Sequence, residues 1–178
     1  ITQARFGSTR LPGKVLKKIE DKSLLQIHCE RLLKSKNVNR ILIATTNLEK
    51  DKQIYDWAIE NDFLAYKGSE NDVLDRYYKA AKDYNPKWIV RVTSDCPLID
   101  PVLLDHIIKK AVENNVDYCS NIIIEKFPDG QDIEVFSFKA LEAAWSSAKL
   151  VSEREHVTSF IRNNLYGKGS SLFSFYSV

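Results

Sequence analysis

The chain has 178 residues, 44% of them apolar and 28% charged, with a formal net charge of +2. That size fits one domain around a single substantial core, and so small a charge disfavours a nucleic-acid partner, which calls for a broad positive field. The longest apolar runs are about four or five residues against the roughly 20 a membrane-spanning helix needs, so no membrane partner is expected.

In chain order, Ile1 to Ala4 reads as the end of a first strand. Leu24 to Leu33 reads as a helix with Leu24, Leu25, Cys29, Leu32 and Leu33 near one face. Residues 41–46 form a continuous β-rich run of the kind buried on both faces of a parallel sheet. Helix is expected over 51–61, a short strand over 63–66, helix over 72–84 and a second buried strand over 88–93. Asp100-Pro101 starts a helix with Asp as N-cap and Pro at the first position; it runs to about Asn115, and strand resumes over 117–120. This alternation argues for a doubly wound α/β sheet. Asp129-Gly130 then signals a turn, and 133–138 is strand-like, which suggests an antiparallel addition near the sheet edge. Ser152 and Glu155 form a capping-box pattern that starts a helix toward Asn163, and 171–178 alternates weakly like a last strand.

The densest chemistry lies in Gln3-Ala4-Arg5-Phe6-Gly7-Ser8-Thr9-Arg10-Leu11-Pro12-Gly13-Lys14. Glycines let backbone N–H groups turn around phosphate oxygens, arginines supply forked donors, and lysine supplies a compact charge that can follow a departing phosphate. The segment is no P-loop, because five residues separate Gly7 from Gly13 where that motif has four, and Val15, not Ser or Thr, follows Lys14. G-x-G-x-x-G is absent as well. Taken alone, the stretch could still be an ordinary basic surface loop.

QARFGSTRLPGK resembles the N-terminal signature of the sugar cytidylyltransferases, the group that includes acylneuraminate and KDO cytidylyltransferases. RVTSDCPLIDP (91–101), FPDGQDIEVFSFKALE (127–142) and SEREHVTSFIRN (152–163) extend the similarity over nearly the whole chain, with the last two closest to the spore coat polysaccharide branch. The resemblance implies a Rossmann-like nucleotide-diphospho-sugar transferase fold, mostly parallel with an antiparallel part. It also implies transfer of a cytidylyl group from CTP to a sugar or sugar acid, with magnesium (Mg2+) as cofactor. Carried onto this chain, it assigns Arg5, Gly7, Ser8, Arg10 and Lys14 to the triphosphate and Asp95 to the metal, with Arg10, Lys14 and Asp95 as the catalytic set. A homodimer is expected by analogy. Members of the group carry a later V-D-T-P-E-D-L segment whose first aspartate adds a magnesium contact. With no such segment before Val178 and no methionine at Ile1, the single domain 1–178 is expected to be truncated at both ends.

Other candidates admit two readings each. Asp95 lies just past a buried strand, where ligands of open α/β sheets collect, or it is a turn residue before Cys96-Pro97. Arg91, inside an apolar strand, either reaches ligand at the strand end or pairs with an internal carboxylate. Thr45 and Thr46 end a buried strand and could read the base, although β propensity alone accounts for them. Asp132 and Glu134 fall on one side of a strand and could face a sugar together, or solvent. Arg154 and His156 could meet a sugar carboxylate or a subunit partner. His28 and His106 read as packing or surface residues, and the tryptophans as core. Cys29, Cys96 and Cys119 lack metal-ligand spacing, so free thiols in a cytoplasmic protein without zinc are expected. Two competing functions remain: a nucleotide-sugar-dependent glycosyltransferase, for which no D-x-D motif is evident, and a non-catalytic nucleotide-binding module.

Overall fold

The computed structural model describes residues 1–7, 11–124, 126–165 and 172–178. Strand β1 (Thr2–Gln3) leads through the basic loop to a 3-10 turn at Lys14–Leu16 and a small hairpin, β2 (Lys18–Ile19) and β3 (Lys22–Ser23). Helix α1 (Leu24–Leu32) follows, its first turn capped by Ser23, which accepts from the Gln26 N–H at 3.1 Å. Next come β4 (Leu42–Thr46), α2 (Lys52–Glu60), β5 (Leu64–Gly68), α3 (Val73–Lys82), β6 (Trp88–Thr93) and α4 (Pro101–Asn114). The chain continues through β7 (Tyr118–Ser120), β8 (Glu134–Ser137), α5 (Phe138–Ser147), α6 (Val151–Glu155), α7 (Ser159–Asn163) and β9 (Phe175–Ser177).

Seven strands form one sheet in the order β5-β4-β1-β6-β8-β7-β9. β5, β4, β1 and β6 are parallel, β8 runs antiparallel to both β6 and β7, and β9 pairs parallel with β7. Helices cover both faces. Leu25 and Cys29 of α1, Ile54 and Ala58 of α2, and Leu104 and Ile107 of α4 pack on one side. On the other side are Leu74 and Tyr77 of α3, Leu141 of α5 and Ile161 of α7. This is the expected Rossmann-like α/β architecture, a mostly parallel sheet with an antiparallel part.

Four details differ from expectation. The antiparallel strand is interior, held between β6 and β7 rather than at an edge. On α1 Leu33 is 63% exposed, while His28 takes a buried place beside Leu25 and Cys29. The strand expected over 133–138 stops early because the Ser137 hydroxyl accepts from the Ala140 N–H at 3.0 Å and starts α5 in a run of good helix formers. The Ser152/Glu155 capping box does not form. Glu153 instead turns back to accept from the N–H groups of Lys149 and Leu150, each at 3.2 Å, and the single helix expected there is broken at Val157, whose φ is +34°.

Candidate active site

From β1 the chain passes to β4 and β5 on one side, then crosses by α3 to β6 on the other. The carboxyl ends of β1 and β6 therefore flank the point where strand order reverses, the place where open α/β sheets hold their ligands. A cleft of about 500 Å3 opens there. Its walls come from the basic loop (Ala4, Arg5, Gly7, Lys14), the segment leading into α3 (Glu70, Asn71) with Arg76 of its first turn, the turn after β6 (Ser94, Asp95) and α6 with its neighbour (Val151, Glu155, His156).

At its centre Lys14 Nζ donates to Asp95 Oδ2 at 2.6 Å. Two local features aim the lysine. Gly13 adopts φ +67° and donates its N–H to the Phe6 carbonyl at 2.8 Å, closing the loop. A Cβ at Gly13 would meet the Phe6 ring at 2.5 Å, so glycine is required there for space as well as for backbone conformation. Asp95 is placed by the turn after β6. Partial burial pushes its carboxyl up, but the hydrogen bond and charge of Lys14, helped by Thr93, outweigh this and hold it below the usual carboxylate range. The same turn is fixed from beneath by His28. Its Nδ1–H donates to the Cys96 carbonyl at 3.1 Å, so its Nε2 is the acceptor for the Thr2 hydroxyl at 3.1 Å. Burial lowers the His28 pKa to about 4, which keeps this tautomer neutral. His106, by contrast, is a surface residue.

At one rim Glu70 lies 3.9 Å from Arg5 and 3.7 Å from Lys50. Deeper in, Arg76 is 2% exposed, donates to the Ser69 carbonyl at 2.5 Å and keeps an Nε with no hydrogen-bond partner. The cleft thus joins cations suited to phosphate oxygens with a carboxylate suited to a hard cation.

Of the residues singled out in the sequence, Ala4, Arg5, Gly7, Lys14, Asp95 and His156 meet at this cleft. Ser8 and Arg10 lie outside the described residues. The others sit elsewhere. Thr45 and Thr46 are fully buried at the end of β4, away from the cleft lining, and the Thr46 hydroxyl donates to Asp51. Arg91 takes the internal alternative and pairs with Glu134. Glu134, 1% exposed, also accepts from the Tyr118 and Thr158 hydroxyls, each at 2.6 Å. Its supposed companion Asp132 precedes the strand and is exposed, so the two carboxylates do not share a face. Arg154 grips both carboxylate oxygens of Asp72 at 2.7–3.1 Å, donates to the Trp145 carbonyl at 2.8 Å, and does not line the cleft. Sequence reasoning missed Glu70, Asn71 and Arg76. Their signal was position: Glu70 and Asn71 follow the parallel strand β5 and precede the Asp72 N-cap of α3, and Arg76 lies in the first turn of that helix.

The donor set bears on the metal. Among the described residues no group of three or more His, Cys, Asp or Glu could hold an ion. Magnesium, however, binds through one or two carboxylates together with waters and substrate phosphates. A half-exposed Asp95 in a phosphate-ready cleft fits an ion that arrives with a nucleotide, and does not fit a closed all-protein site.

Comparison with known proteins gives one consistent family. The cytidylyltransferase family profile matches residues 1–172. An uncharacterized protein of Methanocaldococcus jannaschii is 45% identical over 92% of this chain and 66% of its own length. The spore coat polysaccharide biosynthesis protein SpsF of Bacillus subtilis is 34% identical over 92% of this chain and 69% of its own. A solved cytidylyltransferase from Leptospira borgpetersenii superposes with a TM-score of 0.87 at 36% identity, covering 96% of this chain and 76% of that one. The chain therefore spans about two thirds of the length of these two curated relatives. Among the described residues no helix is long and apolar enough to cross a membrane.

Proposed function

The chain belongs to the cytidylyltransferase family, and we propose that its cleft binds CTP and serves transfer of the cytidylyl group to a hydroxyl of a sugar acid, with loss of pyrophosphate. The observation that carries this reading is the 2.6 Å meeting of Lys14 and Asp95 at the sheet's switch point. One cation and one carboxylate, 81 residues apart in sequence, converge where a triphosphate needs both.

In this reading the loop's backbone N–H groups and Arg5 hold the β- and γ-phosphates, with Arg10 assigned to the same task from the sequence. Asp95 would hold magnesium, which when bound would offset charge on the phosphate oxygens. The acceptor hydroxyl gives up its proton to solvent as its oxygen bonds to the α-phosphorus, the bond to the β-phosphate oxygen breaks, and Lys14 follows the negative charge onto pyrophosphate. Arg76 adds positive potential from below. His156 and Glu155, on the facing wall, are the groups proposed to meet the acceptor. Catalysis is mainly positioning and charge stabilisation.

The complete protein, incubated with CTP, magnesium and a panel of sugar acids, is expected to release pyrophosphate only when all three are present. Turnover of a nucleotide sugar in place of CTP would establish a glycosyltransferase instead. CTP binding without product from any acceptor would leave a nucleotide-binding module.

A further inference from the structure

Below the basic loop lies a carboxylate that the reaction does not use. Asp51 is 0% exposed and no ion pair is formed with it among the described residues. Burying an unpaired carboxylate is costly unless hydrogen bonds satisfy it. Here Oδ1 accepts the Phe6 N–H at 2.5 Å and Oδ2 accepts the Thr46 hydroxyl. Its position at the start of α2 adds the favourable end of a helix dipole. The Phe6 bond spans 45 residues and reaches the residue whose carbonyl accepts the Gly13 N–H. Lys14 is the next residue. A continuous series of contacts therefore runs from Asp51 through Phe6 and Gly13 to the ammonium beside Asp95.

We infer that Asp51 is a positioning residue for the phosphate loop: it fixes Phe6 at the loop's base and thereby the direction of Lys14. It touches no substrate, and acts by holding one backbone N–H in place. The inference rests on the nucleotide reading only for its catalytic meaning, because the latch itself is a property of the free protein. Asn keeps an oxygen for the Phe6 N–H, and its amide can donate to a Thr46 hydroxyl turned to accept. Asp51→Asn is therefore a conservative rescue, whereas Asp51→Ala leaves both donors unpaired in a buried place.

The test compares wild type, Asp51→Ala and Asp51→Asn by amide hydrogen exchange without ligand and by calorimetric titration with CTP and magnesium. The latch predicts that Asp51→Ala speeds exchange at Gly13 about 10-fold or more while the amides of β4 and α4 exchange as before, and that Asp51→Asn restores most of the protection. The CTP Kd is expected to rise about 10-fold in Asp51→Ala and to recover in Asp51→Asn. Uniformly faster exchange across the domain, with an unchanged Kd for the folded fraction, would reduce Asp51 to an ordinary stabilising residue and overturn the inference. Failure of wild type to bind CTP counts against the nucleotide reading alone, since the exchange result still decides the latch. If Asp51→Ala does not fold, Thr46→Val decides. It frees the second oxygen of Asp51 and the Leu48 N–H, which the Thr46 hydroxyl accepts at 3.2 Å, and leaves the Phe6 bond in place; a rise of about three-fold at Gly13 supports the latch, and none overturns it.

Discussion

Replacing Lys14 by alanine is expected to lower kcat for pyrophosphate release by about 10²- to 10³-fold, the usual loss when one preorganised charge-stabilising group leaves a reaction centre. Folding should survive. The Lys14–Asp95 pair is partly exposed, with side chains 26% and 43% accessible, so water can solvate Asp95 once its partner is gone. The chemical loss is specific to a group that meets charge as it develops, and a mere binding contact would raise KM with kcat unchanged. Lys14→Arg should recover little, because a planar fork cannot occupy the place of a compact ammonium 2.6 Å from Asp95. Steady-state kinetics on the complete protein, with thermal melting as the folding control, check both. Unchanged kcat in Lys14→Ala would remove Lys14 from the chemistry.

The largest effect on stability is expected at a residue that the sequence pattern offered as a sugar ligand. Glu134→Ala should destabilise the fold by about 3–5 kcal/mol, the range for breaking a buried ion pair and stranding its partner. The stranded partner is Arg91, and the Tyr118 and Thr158 hydroxyls lose their acceptor too. Because these groups belong to β6, β7, β8 and the junction of α6 with α7, the loss reaches the whole antiparallel half of the sheet. Burial pushes the Glu134 carboxyl up, but Arg91 and the two hydroxyls outweigh it and hold the pKa below the ordinary 4.5. A carboxyl depressed in the folded state contributes stability above its unfolded pKa and loses it as pH falls through the folded value. Urea unfolding should therefore show wild type losing stability below about pH 4.5, with Glu134→Ala less sensitive there. A midpoint in Glu134→Ala equal to wild type at pH 7 would contradict the account.

Glu134 also shows where sequence reading stops. The parallel half of the fold was legible because runs such as 41–46 and 88–93 are mostly apolar and β-branched, and because Asp100-Pro101 marks a helix start through local chemistry. Ser137 was missed because a strand and an N-capped helix share it: β8 ends at the residue that caps α5. The hairpin at 18–23 turns through Glu20 at φ +56°, without the Asn-Gly or Asp-Gly pair that announces such turns. Lys14 and Asp95 could be matched through the resemblance, Lys14 in the loop that leaves β1 and Asp95 just past the carboxyl end of β6. Arg91, Arg154 and Thr46 could not be placed. Whether a charge faces a ligand or an internal partner depends on residues 43 and 82 positions away, Glu134 and Asp72. Thr46 was closer in sequence to its partner, but nothing local says that Asp51 turns inward.

In the proposed function, Lys14 and Asp95 together form the seat of a nucleoside triphosphate with its metal. Calorimetric titration of CTP, with and without magnesium, onto this chain and onto Lys14→Ala and Asp95→Asn tests it most directly. Binding is expected to strengthen with magnesium, with a Kd raised about 10-fold or more in Lys14→Ala and the magnesium dependence lost in Asp95→Asn. Equal affinity in all three proteins, with or without magnesium, would contradict it.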